Sequence, residues 1–172
     1  MVDESMSAPA DTPIPPELSF AEMFAAARAY AMRSLARRES AESELAGRLR
    51  KQGFNEEVIE ATLEYCRGHR WVDDERYGAM SVRAGAAKGQ GPIKIRFDLR
   101  RKGLDDVQLE TAFDQPELDW FELAFELLQR RARASDLADF KLRMKWLKYL
   151  LGRGFNQDQA RYAISAMQEK GE

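Results

Sequence analysis

The chain has 172 residues, 44% of them hydrophobic and 33% charged, with 27 Lys and Arg against 29 Asp and Glu and a formal net charge of −2. A single cysteine, Cys66, excludes an intrachain disulfide, and no stretch approaches the roughly 20 apolar residues that cross a bilayer. With no basic region followed by an apolar run at its start, the sequence reads as a soluble cytoplasmic protein with no membrane partner.

The net charge hides an asymmetry. Residues 1–24 hold five acids (Asp3, Glu4, Asp11, Glu17, Glu22) and no Lys or Arg, which leaves the remainder at a net +3. Pro, Ser and acid dominate 1–19, predicting a flexible acidic N-terminal tail. From residue 20 onward helix formers prevail, and alternating Val, Ile and Thr runs bounded by turn residues are missing. The expected fold class is all-α.

The first predicted helix spans 22–37, with Phe24, Ala27, Ala31 and Leu35 forming an apolar stripe. Ser40 is placed as the cap of a second helix, 41–51. That helix ends in "LRKQGFNEEVIEAT" (49–62), a stretch that returns as "LRRKGLDDVQLETA" (99–112) and "LLGRGFNQDQARYA" (150–163). Gly53, Gly103 and Gly154 are 50 and then 51 residues apart, a period that signals stacked units. With glycine at the first position past a helix, Leu49, Leu99 and Leu150 pair with Phe54, Leu104 and Phe155 across a Schellman stop. Asn55, Asp105 and Asn156 then cap a third helix each, with Gln108 and Gln159 completing capping boxes.

In the second unit "WVDDERYGAM" opens a helix capped by Asp73, with Val72 and Tyr77 as a hydrophobic staple. "KGQGP" is read as a turn or hinge, after which Pro92 starts the next helix. In the third, "PELDWFELAFELLQRRA" is helical and Ser135 is placed as the cap of a long helix through Gly152. Linkers near 67–72 and 114–118 give three three-helix repeats, at 20–70, 71–115 and 116–172. About 50 residues bury too little surface to stand comfortably alone, so the repeats are expected to stack into an elongated, curved array, monomeric by default.

No catalytic constellation emerges. His69 and Cys66 supply two ligands where zinc needs four, and "KGQGP" lacks the strand and the Lys-Ser/Thr of a phosphate loop. Asp73, Asp74 and Glu75 fit helix capping better than a metal site. The expectation is a non-enzyme with no cofactor and no metal.

The basic residues carry more. Residues 81–104 hold Arg83, Lys88, Lys94, Arg96, Arg100, Arg101 and Lys102 against Asp98, a net of +6. Residues 126–153 hold Arg130, Arg131, Arg133, Lys141, Arg143, Lys145, Lys148 and Arg153 against three acids, a net of +5. Aligned along stacked repeats, these make one basic strip suited to an anionic or nucleoprotein surface. Ile95 and Leu99 share one face of the central helix, and Ile93 and Phe97 another. Burial against both neighbouring repeats is the expectation, with Phe97 as a partner anchor if that face is free. Trp146 is assigned to the core, and Trp71 and Trp120 to packing between repeats.

These residues resemble a known family. "LARRESAESELAGRLRKQGF" followed by "WVDDERYGAMSVRAGAAKGQGPIKIRFDLRRKGL" is similar to RecX proteins, bacterial regulators of the RecA recombinase. The most specific portion is Val72 to Tyr77, then Gly91-Pro92, Lys94-Ile95-Arg96 and Lys102-Gly103; Gln90 stands where an aromatic is often found. The resemblance implies a protein of DNA repair, homologous recombination and the SOS response. It implies binding in the groove of RecA filaments on single-stranded DNA, with ATP hydrolysis and strand exchange inhibited or disassembly promoted. The alternative is a direct, non-specific DNA-binding helical module.

Overall fold

Three glycine-ended stops divide the chain into like units, each a bundle of three helices. The computed structural model describes residues 18–171, so the tail predicted over 1–19 lies, except for its last two residues, outside the described part. The first repeat contains α1 (Phe20–Arg37), α2 (Glu42–Lys51) and α3 (Glu56–Gly68); the second α4 (Asp74–Ala87), α5 (Pro92–Arg101) and α6 (Asp106–Phe113). The third contains α7 (Trp120–Arg131), α8 (Phe140–Gly152) and α9 (Gln157–Lys170), with a short 3-10 turn at Ala134–Ala138. No strand occurs among the described residues.

The stop is the same in all three units. Gly53, Gly103 and Gly154 have φ of 92°, 92° and 97°, a left-handed backbone that any side chain would strain. The amides of Phe54, Leu104 and Phe155 donate back to the carbonyls of Leu49, Leu99 and Leu150 at 3.3, 3.2 and 3.2 Å. Each chain then turns straight into a new helix. Asn55, Asp105 and Asn156 accept from the amides of Val58, Gln108 and Gln159 at 2.9, 2.8 and 2.8 Å. Gln108 and Gln159 return the contact to the cap amides, both at 2.9 Å.

Two predicted caps are displaced. Ser40 is fully buried and its hydroxyl accepts from Arg48 Nη1 at 2.8 Å, so it is a core ligand rather than a cap. Helix α2 begins one residue later, and the amide of Glu42 donates to Asp74 Oδ1, 2.8 Å away in the second repeat. Ser135 falls inside the 3-10 turn, which buries Leu137 completely, and Asp139 caps α8 by accepting from the Leu142 amide at 3.0 Å. Ser and Asp are both good caps, and only the packing of Leu137 decides between them.

Each repeat has its own core. Leu45, Leu49, Val58 and Ile59 centre the first; Val82, Ile95, Leu99 and Leu109 the second; Leu128, Leu150, Phe155 and Ala160 the third. Helix pairs in substantial contact all belong to one repeat, and among the described residues no backbone hydrogen bond joins the first repeat to the third. The repeats therefore follow one another in line. Trp120 packs against both the second and third cores, as expected of a junction residue, and Trp146 packs on the third. Trp71 differs from its expected role: it packs on the first core, edge-on to Tyr65 at 5.5 Å.

The second helices meet end to end. The amides of Gly91 and Ile93, at the start of α5, donate to the carbonyls of Arg153 and Gly154, at the end of α8, at 2.8 and 2.9 Å. Arg153 reaches across to the carbonyls of Gly89 (3.0 Å) and Lys88 (2.7 Å), closing the end of α4. "KGQGP" is thus a docking joint rather than a free hinge. At the first junction the end of α5 meets the start of α2: Ser43 Oγ donates to the Lys102 carbonyl, and the Lys102 ammonium pairs with Glu44. Orphan carbonyls at one helix end satisfy orphan donors at the next, and the two dipoles add head to tail.

This joint needs glycine twice. A Cβ on Gly154 would lie 2.5 Å from Lys94 Cβ, and one on Gly91 2.2 Å from the Gly154 carbonyl carbon. Gly53 has the same φ but open space around it. We expect Gly53→Ala to cost about 1–2 kcal/mol from backbone strain alone, and Gly154→Ala about 1–3 kcal/mol more from overpacking. Urea unfolding of the two variants measures the difference, and equal losses would dissolve the proposed joint.

At the other junction, burial pushes the Glu44 carboxyl up, but hydrogen bonding and charge from Lys102, the Ala41 amide and the Arg48 charge outweigh it and hold it below the usual carboxylate range. Stability from this pair is present above the unfolded carboxylate value and is lost as pH falls through the lowered folded one. Lys102 is partly solvated, so Glu44→Gln should cost only about 0.5–1 kcal/mol at neutral pH. The gap between variant and parent should close in acid, as read from urea midpoints at the two pH values.

Candidate functional site

Helix α5 is amphipathic with an unusual outer face. At about 100° per residue, Ile95 and Leu99 point inward, both 3% exposed. The opposite arc carries Ile93, Lys94, Phe97 and Arg101. Phe97 is 60% exposed and Ile93 57%, so the expected burial of this face against both neighbouring repeats does not occur. The neighbours grip α5 at its two ends, through the joints with α2 and α8, and leave its flank in water. Arg101 stands over the Phe97 ring at 5.8 Å, a cation and an exposed aromatic side by side.

On α8 the same arc is a lysine stripe. Leu150 is fully buried, and Lys141, Lys145 and Lys148 lie on the far side of the helix, all exposed and none in an ion pair among the described residues. Arg143 is half-buried, donates to the Leu137 carbonyl at 3.1 Å and lies 5.5 Å from the exposed Phe140 ring. The end of α8 abuts the start of α5, so the free cations of the two lie on helices that follow one another end to end.

Several predicted members are engaged elsewhere. Arg96 pairs with Glu110 at 2.9 Å and lies over the Phe113 ring, Arg100 pairs with Asp106 at 3.0 Å, and Lys102 holds the first junction through Glu44. Arg130 is 4.0 Å from Glu126 and Arg83 donates to Gln115 at 3.3 Å. Lys88, Lys94, Arg101 and Arg131 are exposed and, among the described residues, have no acidic partner within 4.0 Å. On α5, pairing by the α6 acids Glu110 and Asp106 separates Arg96 and Arg100 from Lys94 and Arg101.

The acidic run after Trp71 is absorbed by capping. Asp73 accepts from the Arg76 amide at 3.0 Å. Burial pushes the Asp74 carboxyl up, opposed by the Glu42 amide that it accepts. His69 stacks on Tyr65 with ring centroids 4.0 Å apart, and Cys66 is buried. Among the described residues no group of three His, Cys, Asp or Glu side chains is placed to hold a metal ion, and no helix is long and apolar enough to cross a membrane. One feature escaped the sequence reading: a cleft of about 390 Å³ in the first repeat, lined by Tyr30, Arg33, Ser34, Arg37, Arg38 and Arg48. Its sequence signal is a run of arginines between Glu22 and Glu39 with no acid among them.

Models of the first, second and third three-helix domains of RecX match residues 27–66, 73–112 and 117–164. Regulatory protein RecX of Vibrio vulnificus (strain CMCP6) is 33% identical over 135 residues, covering 78% of this chain and 88% of that one. The chain belongs to the RecX family. Regulatory protein RecX of Halorhodospira halophila is 33% identical over 147 residues, 86% of this chain and 91% of the relative. The match to the Yersinia pseudotuberculosis serotype O:1b RecX, 38% identical over 103 residues, spans 60% of this chain and a little over half, 57%, of that protein's length. A crystal structure of regulatory protein RecX superposes with a TM-score of 0.70 at 26% identity, covering 83% of this chain and 71% of the other. RecX from Lactobacillus salivarius gives a TM-score of 0.75 at 22% identity, over 86% and 98%, and shares the fold. The RecX domain matches fall on the three helical repeats, and membership assigns the chain to a regulatory protein family.

Exposure of Phe97 on this RecX chain has a direct thermodynamic consequence. Phe97→Ala should change unfolding free energy by less than about 0.5 kcal/mol, whereas Leu99→Ala, two residues along the same helix, should cost about 2–5 kcal/mol. Chemical denaturation of both variants checks it, and a large loss at Phe97 would mean that the face is covered.

Proposed function

We propose that this chain is a non-enzymatic negative regulator of RecA that lies along the groove of RecA filaments on single-stranded DNA. In doing so it inhibits ATP hydrolysis and strand exchange or promotes disassembly. The observation that carries the proposal is the jointed row of second helices. Exposed Lys94 and Arg101 on α5 continue into Lys141, Lys145 and Lys148 on α8, with Phe97 and Phe140 as exposed aromatic neighbours. A linear cationic row with apolar anchors suits a long, repetitive acidic partner, because each repeat can engage an equivalent patch while the rim charges steer the encounter. Family membership supports RecA as that partner, and the chain acts as a monomer in the cytoplasm in this reading.

Within the predicted basic set, the structure separates free cations from paired ones. Arg96 and Arg100 already hold acids, so Lys94, Arg101 and Lys145 are the sharper probes. Reversing these three to Glu should raise the concentration needed to inhibit RecA strand exchange at least tenfold, with the helical circular dichroism unchanged. A folded variant that inhibits like its parent removes this surface from the mechanism.

The second reading, direct non-specific DNA binding, draws on the same free lysines. It predicts binding without RecA that collapses steeply with added salt and is lost on reversing Lys94, Arg101 and Lys145, whereas a protein–protein contact retains affinity at moderate ionic strength. Substoichiometric inhibition of RecA ATPase on single-stranded DNA favours the first reading, and inhibition only at concentrations that coat the DNA favours the second.

A further inference from the structure

The arginine cleft of the first repeat lies outside every basic patch described above. Arg33 and Arg37 occupy successive turns of α1, with Arg38 just past its end and Arg48 facing them from α2. Among the described residues no acid lines the cleft, and none of the four guanidiniums has a carboxylate within 4.0 Å. Two acids close to these arginines in the sequence are taken elsewhere. Glu39 is bound by Arg76 at 2.7 Å from the second repeat, and Glu44 is bound by Lys102. Four arginines elsewhere, Arg50, Arg67, Arg96 and Arg100, each hold a carboxylate.

Arg48 is built in rather than splayed out. Its Nη1 donates to Ser34 Oγ at 2.9 Å and to fully buried Ser40 Oγ at 2.8 Å. Two neutral hydroxyls fix the guanidinium without cancelling its charge, leaving its other N–H groups to face the cleft. Tyr30, half-buried on the first core, adds an aromatic wall. Four like charges around one space repel each other, so the arrangement favours a ligand that brings negative charge.

We infer that this cleft binds the phosphodiester backbone of a single-stranded nucleic acid, as a contact separate from the α5–α8 row. Arg33 and Arg37, about 6 Å apart along α1, meet neighbouring phosphates of one strand. Arg38 and the anchored Arg48 close on one of them, and Tyr30 offers its ring to a base. A polyanion fits better than a small phosphate. Arg33, Arg37 and Arg38 are exposed, so an isolated ion there is screened by salt, whereas a strand also gains from the counterions it releases. The site stands independently of RecA, and its test contains none.

The full chain is titrated against fluorescently labelled oligodeoxythymidylate in the absence of RecA, over a series of KCl concentrations. For Arg33→Gln/Arg37→Gln/Arg38→Gln, affinity at low salt should fall at least tenfold. The slope of log affinity against log salt should shrink by up to about 1.4, at roughly 0.7 for each of the two phosphates. Arg48 is left in place because it holds buried Ser40. Should the triple variant fail to fold by circular dichroism, Arg37→Gln alone should reduce the slope by about 0.7. Unchanged slope and affinity, or a parent protein that does not bind the oligonucleotide, overturns the inference. So does inorganic pyrophosphate displacing the strand at matched ionic strength, which would mark a small-anion site. Any of these results leaves the RecA proposal standing, since that rests on α5 and α8.

Discussion

Glycine in a left-handed turn at the end of each second helix is the constraint on which the rest of the molecule depends. At Gly53, Gly103 and Gly154 it stops a helix, returns two amides to the helix carbonyls, and sets the cap of the next helix one residue after the apolar contact residue. At Gly103 and Gly154 the same stop also receives the preceding repeat, with Ser43 against one and Lys94 against the other. One backbone device thereby sets both the fold of a repeat and the spacing between repeats. A side chain at Gly154 would disturb both at once.

Polar joints of this kind do different work from a shared core. Each repeat holds its own apolar cluster, and the links between them are a few hydrogen bonds and ion pairs, Glu44 with Lys102 and Glu39 with Arg76 among them, with Ala41 and Trp120 providing apolar contact to the middle core. Net contributions of such bonds are about 1 kcal/mol each, well below what burial supplies within a repeat. The order of the units is therefore fixed by complementarity of helix ends. The flanks of α5 and α8 stay uncovered, which is what gives a chain with little net charge an exposed cationic row.

Electrostatics sorts that row more finely than composition does. Arg96 and Arg100 resemble Lys94 and Arg101 in the sequence, yet acids on α6 hold the first pair and leave the second free. In the first repeat the sorting runs the other way. Arg76 and Lys102, both from the second repeat, remove Glu39 and Glu44 from competition and leave four arginines around a cleft that no described acid lines. Contacts between repeats thus tune the charge that each repeat displays.

The sequence by itself determined the three helical units, their stops and most of their caps. These depend on local backbone geometry and on short-range pairs such as Leu49 with Phe54 or Asp105 with Gln108, all within six residues. It also determined where cations are dense and which family the chain resembles. Tertiary structure alone decided what happens between residues distant in the chain. It made Ser40 a core partner of Arg48, turned "KGQGP" into a joint, left Phe97 in water and gathered Arg33, Arg37, Arg38 and Arg48 around one cleft. Periodicity shows that a helix has two apolar faces but not which of them finds a neighbour, because that depends on where the next repeat touches down.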